Sequence, residues 1–231
     1  MDGNDRRCLH IRNILDLESG DTLRVGVING SIGIGRIVNV SGRGIELDVS
    51  LTEEKQENRR LTLILALPRP IMLQRILKQA TVMGVRTFHL IRSEKVQKSY
   101  FQSNLLQEEN IRSILLQGLE QAMDTRLPEV FVHKRFKPFV EDVVPEMTQK
   151  SLLLAHPEAT LKLPDLYERG NFDNDLVLAV GPEGGWNEFE VHSFLNKGFT
   201  GFSLGSSILH VDTAVLVLLS QLMLLQDLRN R

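Results

Sequence analysis

Two glycine-bearing segments near the C-terminus carry the residues whose types and spacing could do chemistry. The first, Leu178-Ala-Val-Gly-Pro-Glu-Gly-Gly-Trp-Asn187, follows an apolar run and reads as strand, loop and helix start. In that geometry backbone N–H groups at a helix N-terminus face a ligand. Two features argue against a phosphate there. Neither Gly-x-Gly-x-x-Gly nor Gly-x4-Gly-Lys-Ser/Thr is present, which removes the sequence support for a dinucleotide site or a phosphate-loop hydrolase. Glu183, Glu188 and Glu190 also place carboxylates in and just after the loop, where a polyanion is repelled. Asn187 with Glu190 three residues on is a capping-box pattern, so the helix supplies partners for its own free N–H groups. A neutral or cationic ligand suits such a loop better. The plainer alternative is that Gly181, Gly184 and Gly185 only make a sharp turn with positive φ.

The second segment, Leu204-Gly-Ser-Ser-Ile-Leu-His-Val-Asp-Thr-Ala214, again reads as a strand end, a glycine loop and a helix beginning near Asp212, whose side chain can cap it. Two such loops at the carboxyl ends of neighbouring strands form one crevice, the place where open α/β sheets bind ligands. A third strand end, Leu152-Leu-Leu-Ala-His-Pro157, completes the wall. A histidine such as His156 is more often a surface or hydrogen-bonded side chain than a functional one.

The elements that must hold these loops are visible as apolar pattern. Leu61-Thr-Leu-Ile-Leu-Ala-Leu67 is a continuous apolar run ended by Pro68 and Pro70, as for a strand buried on both faces. Apolar residues at 72, 73, 76, 77, 80 and 83 then predict a helix up to Gly84, and Thr87–Ile91 resumes strand character. A helix is expected over Ser103–Ala122, and strands over Glu129–His133, Ser151–Ala155, Asp175–Val180 and Gly198–Leu204. Strands alternating with helices predict a parallel sheet flanked by helices, an α/β class. Upstream, glycine and β-branched runs with Asn29-Gly30 and Gly42-Arg-Gly44 punctuation predict a small antiparallel β-barrel. Glu53–Arg60 lacks apolar periodicity and reads as a linker. The expected division is 1–66 for the barrel and 67–231 for the α/β domain. The last helix, Asp212–Gln226, is apolar almost all round and must be buried in the core or at a subunit contact.

Composition narrows the classes. With 42% hydrophobic and 24% charged residues in 231, the chain is globular, and its formal net charge of −2 gives no overall attraction to a polyanion. A local basic cluster does: Arg69, Arg75, Lys78, Arg86, Arg92, Lys95 and Lys98 stand against the single acid Glu94. A solvated helix face is the bland reading of the same run. No uninterrupted apolar run approaches the roughly 20 residues of a membrane span, and the N-terminus lacks the apolar core of a signal peptide, so a cytoplasmic protein with no membrane partner is expected. Cys8 stands alone, which leaves no thiolate metal site, and no metal is expected.

Gly181-Pro-Glu-Gly-Gly185, Leu204-Gly-Ser-Ser-Ile-Leu209 and Asp212-Thr-Ala214 closely resemble the motifs of the ribosomal RNA small-subunit methyltransferase E family. The resemblance extends to Glu120-Gln-Ala-Met-Asp-Thr-Arg-Leu-Pro128 and to His10–Asp21, which resembles the family's N-terminal PUA-like, RNA-binding barrel. The resemblance implies a SPOUT enzyme with a C-terminal trefoil knot, a homodimer built through the last helix, and S-adenosylmethionine-dependent methylation of N3 of a uridine in 16S rRNA, free or in the assembled small subunit. It also implies that the chain begins close to the barrel's second strand. By the same resemblance Gly181, Glu183, Gly184, Leu204, Gly205, Ile208 and Leu209 surround the cofactor, with Leu154 and His156 on the third wall. His210 and Asp212 are the candidate catalytic residues, and Arg6, Arg7, Arg12, Arg36, Lys95 and Arg126 are candidate phosphate contacts. This chain departs from the family in having His210 where arginine is common, and Lys78-Gln-Ala-Thr-Val-Met-Gly84 in place of a Lys-x-Glu-Leu-Gly type of sequence. A histidine carries positive charge only when protonated and can instead act as a base. The alternative function is a non-catalytic RNA-binding or ribosome-assembly protein that keeps the knotted dimer.

Overall fold

The computed structural model describes residues 1–53, 60–147, 151–170 and 175–229. The expected linker at Glu53–Arg60 lies almost wholly outside them. The chain divides into a smaller unit, Met1–Gln56 with Met123–Arg126, and a larger one, Glu57–Ala122 with Leu127–Arg231.

The smaller unit begins with α1 (Arg6–Asn13), which the strand-rich reading of this region misses. Asp5 caps it by accepting the Arg7 N–H at 2.8 Å, and the Arg7 guanidinium folds back onto the same carboxylate at 2.6 Å. The side-chain bond from Arg7, aided by its backbone N–H, holds the Asp5 pKa down at about 2. Cys8 and Ile11 are buried against Ile37 and Ile45, a stripe too short to announce a helix by periodicity. The strands β1 (Thr22–Gly26), β2 (Ile32–Ser41) and β3 (Gly44–Glu53) form an antiparallel sheet in the order β1-β2-β3. Its turns fall at Asn29-Gly30 and Gly42-Arg43, as the punctuation predicts. Among the described residues this sheet is open rather than the closed barrel expected.

The larger unit is built on β4 (Arg60–Ala66), β5 (Val85–Ile91), β6 (Glu129–His133), β7 (Ser151–Ala155), β8 (Asp175–Val180) and β9 (Thr200–Phe202). β4 therefore belongs to this sheet, although the 1–66 division places it with the N-terminal unit. The sheet order is β6-β5-β4-β8-β7-β9, and every neighbouring pair is parallel. Parallel neighbours need crossovers, and these are supplied by α2 (Pro70–Val82), α3 (Glu108–Ala122), α4 (Phe136–Pro138), α5 (Leu163–Glu168) and α6 (Glu188–Leu195). α3 starts later than Ser103, because Ser103 first caps a short 3-10 turn over Asn104–Leu106. β9 is shorter than the apolar run around it. The core is the two-sided burial of β4 and β8 with Leu73, Ile76 and Leu77 of α2, which the apolar runs anticipate.

The chain order steps outward from β4 through β5 to β6, then crosses to the other side of β4, where β8 is inserted between β4 and β7. Such a reversal opens a crevice at the carboxyl ends of the strands. The last helix, α7 (Val211–Arg229), packs beside α2. By length and composition alone it could cross a membrane, yet Val211, Val215, Leu218, Leu219 and Leu222 form a buried stripe within this fold. Leu224 and Leu228 lie off that stripe and are exposed, so the chain by itself buries one face of α7 and not all of it.

Candidate functional site

The glycine loop follows β8, whose residues Leu176–Val180 are buried, and it is shaped by what lies beneath it. The Gly185 N–H closes a turn onto the Pro182 carbonyl at 2.8 Å, and Gly185 itself sits at φ 71°, a conformation open to glycine and strained for most other residues. Gly181 and Gly184 do not have positive φ, so the turn reading accounts for only one of the three glycines. Gly181 is instead a matter of close approach: a Cβ there would stand 3.2 Å from the indole of the buried Trp186. Trp186 meets Phe194 edge-on at 5.2 Å, and Phe194 meets Phe199 at 4.9 Å, so the loop rests on an aromatic floor.

The capping box at the head of α6 is present, with Glu190 N–H on Asn187 Oδ1 at 2.7 Å and Asn187 N–H on Glu190 Oε2 at 3.0 Å. Glu190 does more than the local pattern shows. It is buried, and its carboxylate also accepts the Ser93 hydroxyl at 3.1 Å and the Glu94 N–H at 2.8 Å. One side chain thus fastens the loop after β5 to the start of α6. Lys95, on that same loop, donates from Nζ to the Gly184 carbonyl at 2.7 Å, and the Asn187 amide donates to the Glu94 carboxylate.

The second loop leaves β9. Ser203 Oγ accepts the Gly205 N–H at 3.2 Å, and Gly205 takes φ 136°, turning the chain towards the extended segment that leads into α7. The third wall is fixed by the His156 N–H, which donates to the Phe202 carbonyl at 2.9 Å and ties the end of β7 to β9.

Together these strand ends enclose a cleft of about 480 Å³. His156, Gly181, Glu183, Gly184, Leu204, Gly205, Ile208 and Leu209 line it, together with Lys95. Leu154 does not; it is fully buried one step down β7, where strand alternation turns it into the core. Pro182, Trp186, Phe202, Ser203, Val211, Ala214 and Leu218 also line the cleft, though the sequence did not single them out as cofactor contacts. Their signal was present only as proximity to the two motifs. Among the described residues, Nδ1 of His156 and Nε1 of Trp186 are buried without a hydrogen-bond partner.

The candidate catalytic pair is placed differently. Neither His210 nor Asp212 lines the cleft, although Leu209 and Val211 on either side of His210 do. Asp212 is not the cap of α7: the first helical bond runs from the Ala214 N–H to the His210 carbonyl at 2.8 Å, which puts His210 at the cap position. The Asp212 carboxylate lies 3.8 Å from the Arg75 guanidinium and accepts the Thr213 N–H at 3.0 Å.

Of the candidate phosphate contacts, Lys95 stands at the rim of the cleft and Arg36 is exposed on β2. Arg12 is engaged in the smaller unit, where its guanidinium donates to the carbonyls of Ser41 and Gly44 and holds the β2–β3 turn. Arg7 is paired with Asp5. Both therefore have structural work that charge counting does not reveal. Arg6 and Arg126 also belong to the smaller unit.

A parallel α/β sheet with a glycine-walled cleft at its carboxyl edge defines a small-ligand-binding α/β protein, and residues 55–223 match the RNA methyltransferase domain family. The Treponema pallidum ribosomal RNA small subunit methyltransferase E is 31% identical over 214 residues, covering 91% of this chain and 79% of that protein. The crystal structure of a Neisseria gonorrhoeae ribosomal RNA small subunit methyltransferase E bound to S-adenosyl methionine superposes with a TM-score of 0.79 at 21% identity, over 97% of this chain and 91% of that one. A Legionella pneumophila protein solved with the cofactor SAM bound gives a TM-score of 0.75 at 21% identity, over 93% and 87% of the two chains. The chain belongs to the ribosomal RNA small subunit methyltransferase E family.

Proposed function

We propose that this chain methylates N3 of a uridine in 16S rRNA, with S-adenosylmethionine as the methyl donor. The observation that carries the reading is the cleft at the ends of β7, β8 and β9, walled by Gly181–Gly185 and Leu204–Leu209, the segments that resemble the family's motifs. Its volume falls within the roughly 300–1,000 Å³ of small-molecule sites. Its walls fit the donor: backbone exposed at the glycines, an apolar floor, the Glu183 carboxylate and the unpartnered Nδ1 of His156.

S-adenosylmethionine, when bound, supplies an electrophilic methyl group on a sulfonium. The residues of the chain must do the rest. Gly181, Gly184, Leu204 and Leu209 orient the donor through backbone and apolar contact, and Glu183 places negative charge near a cationic ligand. The N3–H of uridine is a weak acid, so its proton must be taken as the N–C bond forms. His210, between the cleft-lining Leu209 and Val211, is the residue we assign to accept it, with the Arg75–Asp212 pair on the first turn of α7 beside it. Arg6, Arg36, Lys95 and Arg126 contribute the positive charge that RNA binding requires, and the smaller unit acts as an RNA-binding module. The uncovered apolar residues of α7, Leu224 and Leu228, support a homodimer through that helix. Insertion of β8 between β4 and β7 is compatible with a knotted C-terminal segment. A ribosomal substrate, naked 16S rRNA or the assembled small subunit, implies a cytoplasmic protein.

Because His210 lies outside the cleft lining, a second reading keeps cofactor and RNA binding without turnover. Mass-spectrometric mapping of 16S rRNA from a deletion strain separates the two. Loss of one N3-methyluridine, restored by the wild-type gene, is the expected result, and an unchanged modification profile would refute the enzyme reading.

A further inference from the structure

A second cavity, of about 260 Å³, opens at the carboxyl ends of β5 and β6. Its position follows from register. Ile91 pairs with His133 on adjacent parallel strands, so the next residues, Arg92 and Lys134, leave the sheet side by side, and the Arg92 N–H donates to the His133 carbonyl at 2.9 Å. Arg135 and Phe136 follow on the same loop, and Phe189 reaches over from the first turn of α6. Among the described residues, no ion pair or side-chain hydrogen bond engages Arg92, Lys134 or Arg135. The two carboxylates that border the cavity already have partners. Glu190 accepts from Ser93, Glu94 and Asn187, and Glu94 accepts from the Asn187 amide.

The cavity therefore offers three uncommitted cations beside two aromatic rings. Phe136 and Phe189 meet edge-on at 6.2 Å, and Phe189 is 60% exposed, which leaves its ring open to a stacking partner. Guanidinium forks match phosphate oxygens, and an exposed ring accepts a stacked base; a positive groove combined with aromatic platforms is how single-stranded nucleic acid is held. The location ties the cavity to the cofactor cleft, because Asn187 lines both. Glu190 fixes the separation of the two by stapling the loop after β5 to α6.

We propose that this cavity is the subsite for a single-stranded RNA nucleotide flanking the acceptor base. Arg92, Lys134 and Arg135 hold its phosphodiester, and Phe189 stacks its base. The proposal rests on the RNA methyl-transfer reading above and adds to it the strand's path along the carboxyl edge of the sheet, from β6 towards β8. Arg92 belongs to the basic cluster read from the sequence, whereas Lys134, Arg135 and Phe189 were not among the candidate RNA contacts.

The test uses the full chain and two measurements. Fluorescence anisotropy with a fluorescein-labelled single-stranded oligouridylate gives RNA affinity over a salt series, and isothermal titration gives S-adenosylmethionine affinity. The triple variant Arg92→Gln, Lys134→Gln, Arg135→Gln is expected to weaken RNA binding by at least tenfold. It should also flatten the slope of log affinity against log salt by about 0.7 for each phosphate that is no longer neutralised. Phe189→Ala is expected to weaken RNA binding by about tenfold with little change in slope, as removal of a stacking ring does. Both should bind S-adenosylmethionine within twofold of wild type, which also reports that they are folded. Wild-type RNA affinity and slope in the triple variant would overturn the subsite while leaving the RNA reading standing. An effect of the cations without any effect of Phe189→Ala would reduce the cavity to an anion site and overturn the nucleotide assignment. A wild-type chain that binds S-adenosylmethionine but not the oligouridylate would overturn both the subsite and the RNA reading. One that fails to bind S-adenosylmethionine would overturn the methyl-donor reading alone.

Discussion

Replacing Glu190 tests whether one buried carboxylate holds the two halves of the carboxyl edge together. In the wild type it satisfies the N–H groups of Glu94 and Asn187 at 2.8 and 3.0 Å and the Ser93 hydroxyl at 3.1 Å. Glu190→Ala removes all of these acceptors. The Ser93 hydroxyl can rotate to another partner, but the two backbone donors cannot, and each unsatisfied donor costs about 1–3 kcal/mol. A total near 3 kcal/mol is therefore expected, which for a chain of this size lowers Tm by roughly 6–12 °C. Glu190→Gln keeps one acceptor oxygen. With that oxygen at the Oε2 position it still serves Asn187 and Ser93 and forfeits only the bond from Glu94, so its loss should be about half that of alanine. Differential scanning calorimetry measures both, and isothermal titration with S-adenosylmethionine shows the consequence for the cleft, since Asn187 and the loop carrying Lys95 border it. A Glu190→Ala protein melting within about 2 °C of wild type, or one less affected than Glu190→Gln, would refute the staple.

The three glycines of the first loop should not respond alike. Gly181→Val presses on the buried Trp186 and should weaken S-adenosylmethionine binding at least tenfold, whereas Gly184→Val meets the flexible Lys95 stem and should cost less; titration giving the reverse order would remove the indole from the explanation. His210→Ala should lower methyl transfer by about a hundredfold, the usual size of a lost general base, with S-adenosylmethionine affinity unchanged; equal rates in single-turnover assays would exclude His210 from proton transfer. His133 lies 3.0 Å from His89, and burial lowers its pKa below 6.5. The unfolded chain therefore binds the extra proton more readily, so stability is full above about pH 6.5 and declines as pH falls below it. Melting curves between about pH 7.5 and 5.5 should show this decline, and His133→Gln should make it shallower; an unchanged pH slope in the variant would assign the decline to other groups.

Much of the larger unit was legible because its signals are local. The apolar run Leu61–Leu67, the helical spacing before Gly84 and the strand at Asp175–Val180 record burial within a few residues of one another. The Asn187–Glu190 capping box is local in the same sense, and it appears as expected. α1 was not legible, since its buried stripe is only Cys8 and Ile11, and Asp5 gives the same cap signal in a turn.

The sequence by itself determined the class of fold, the two motifs that wall the cleft and the residue types they present, because backbone propensity and glycine geometry act over short spans. Tertiary structure alone decided which residues share a surface. It inserted β8 between β4 and β7, brought Glu190 to Ser93 across 97 residues and engaged Arg12 with the β2–β3 turn. It also left Arg92, Lys134 and Arg135 without partners among the described residues. The physical reason is that hydrogen bonds and charge pairs depend on distance in space. A charge reads the same in sequence whether it is spent inside the fold or left for a ligand.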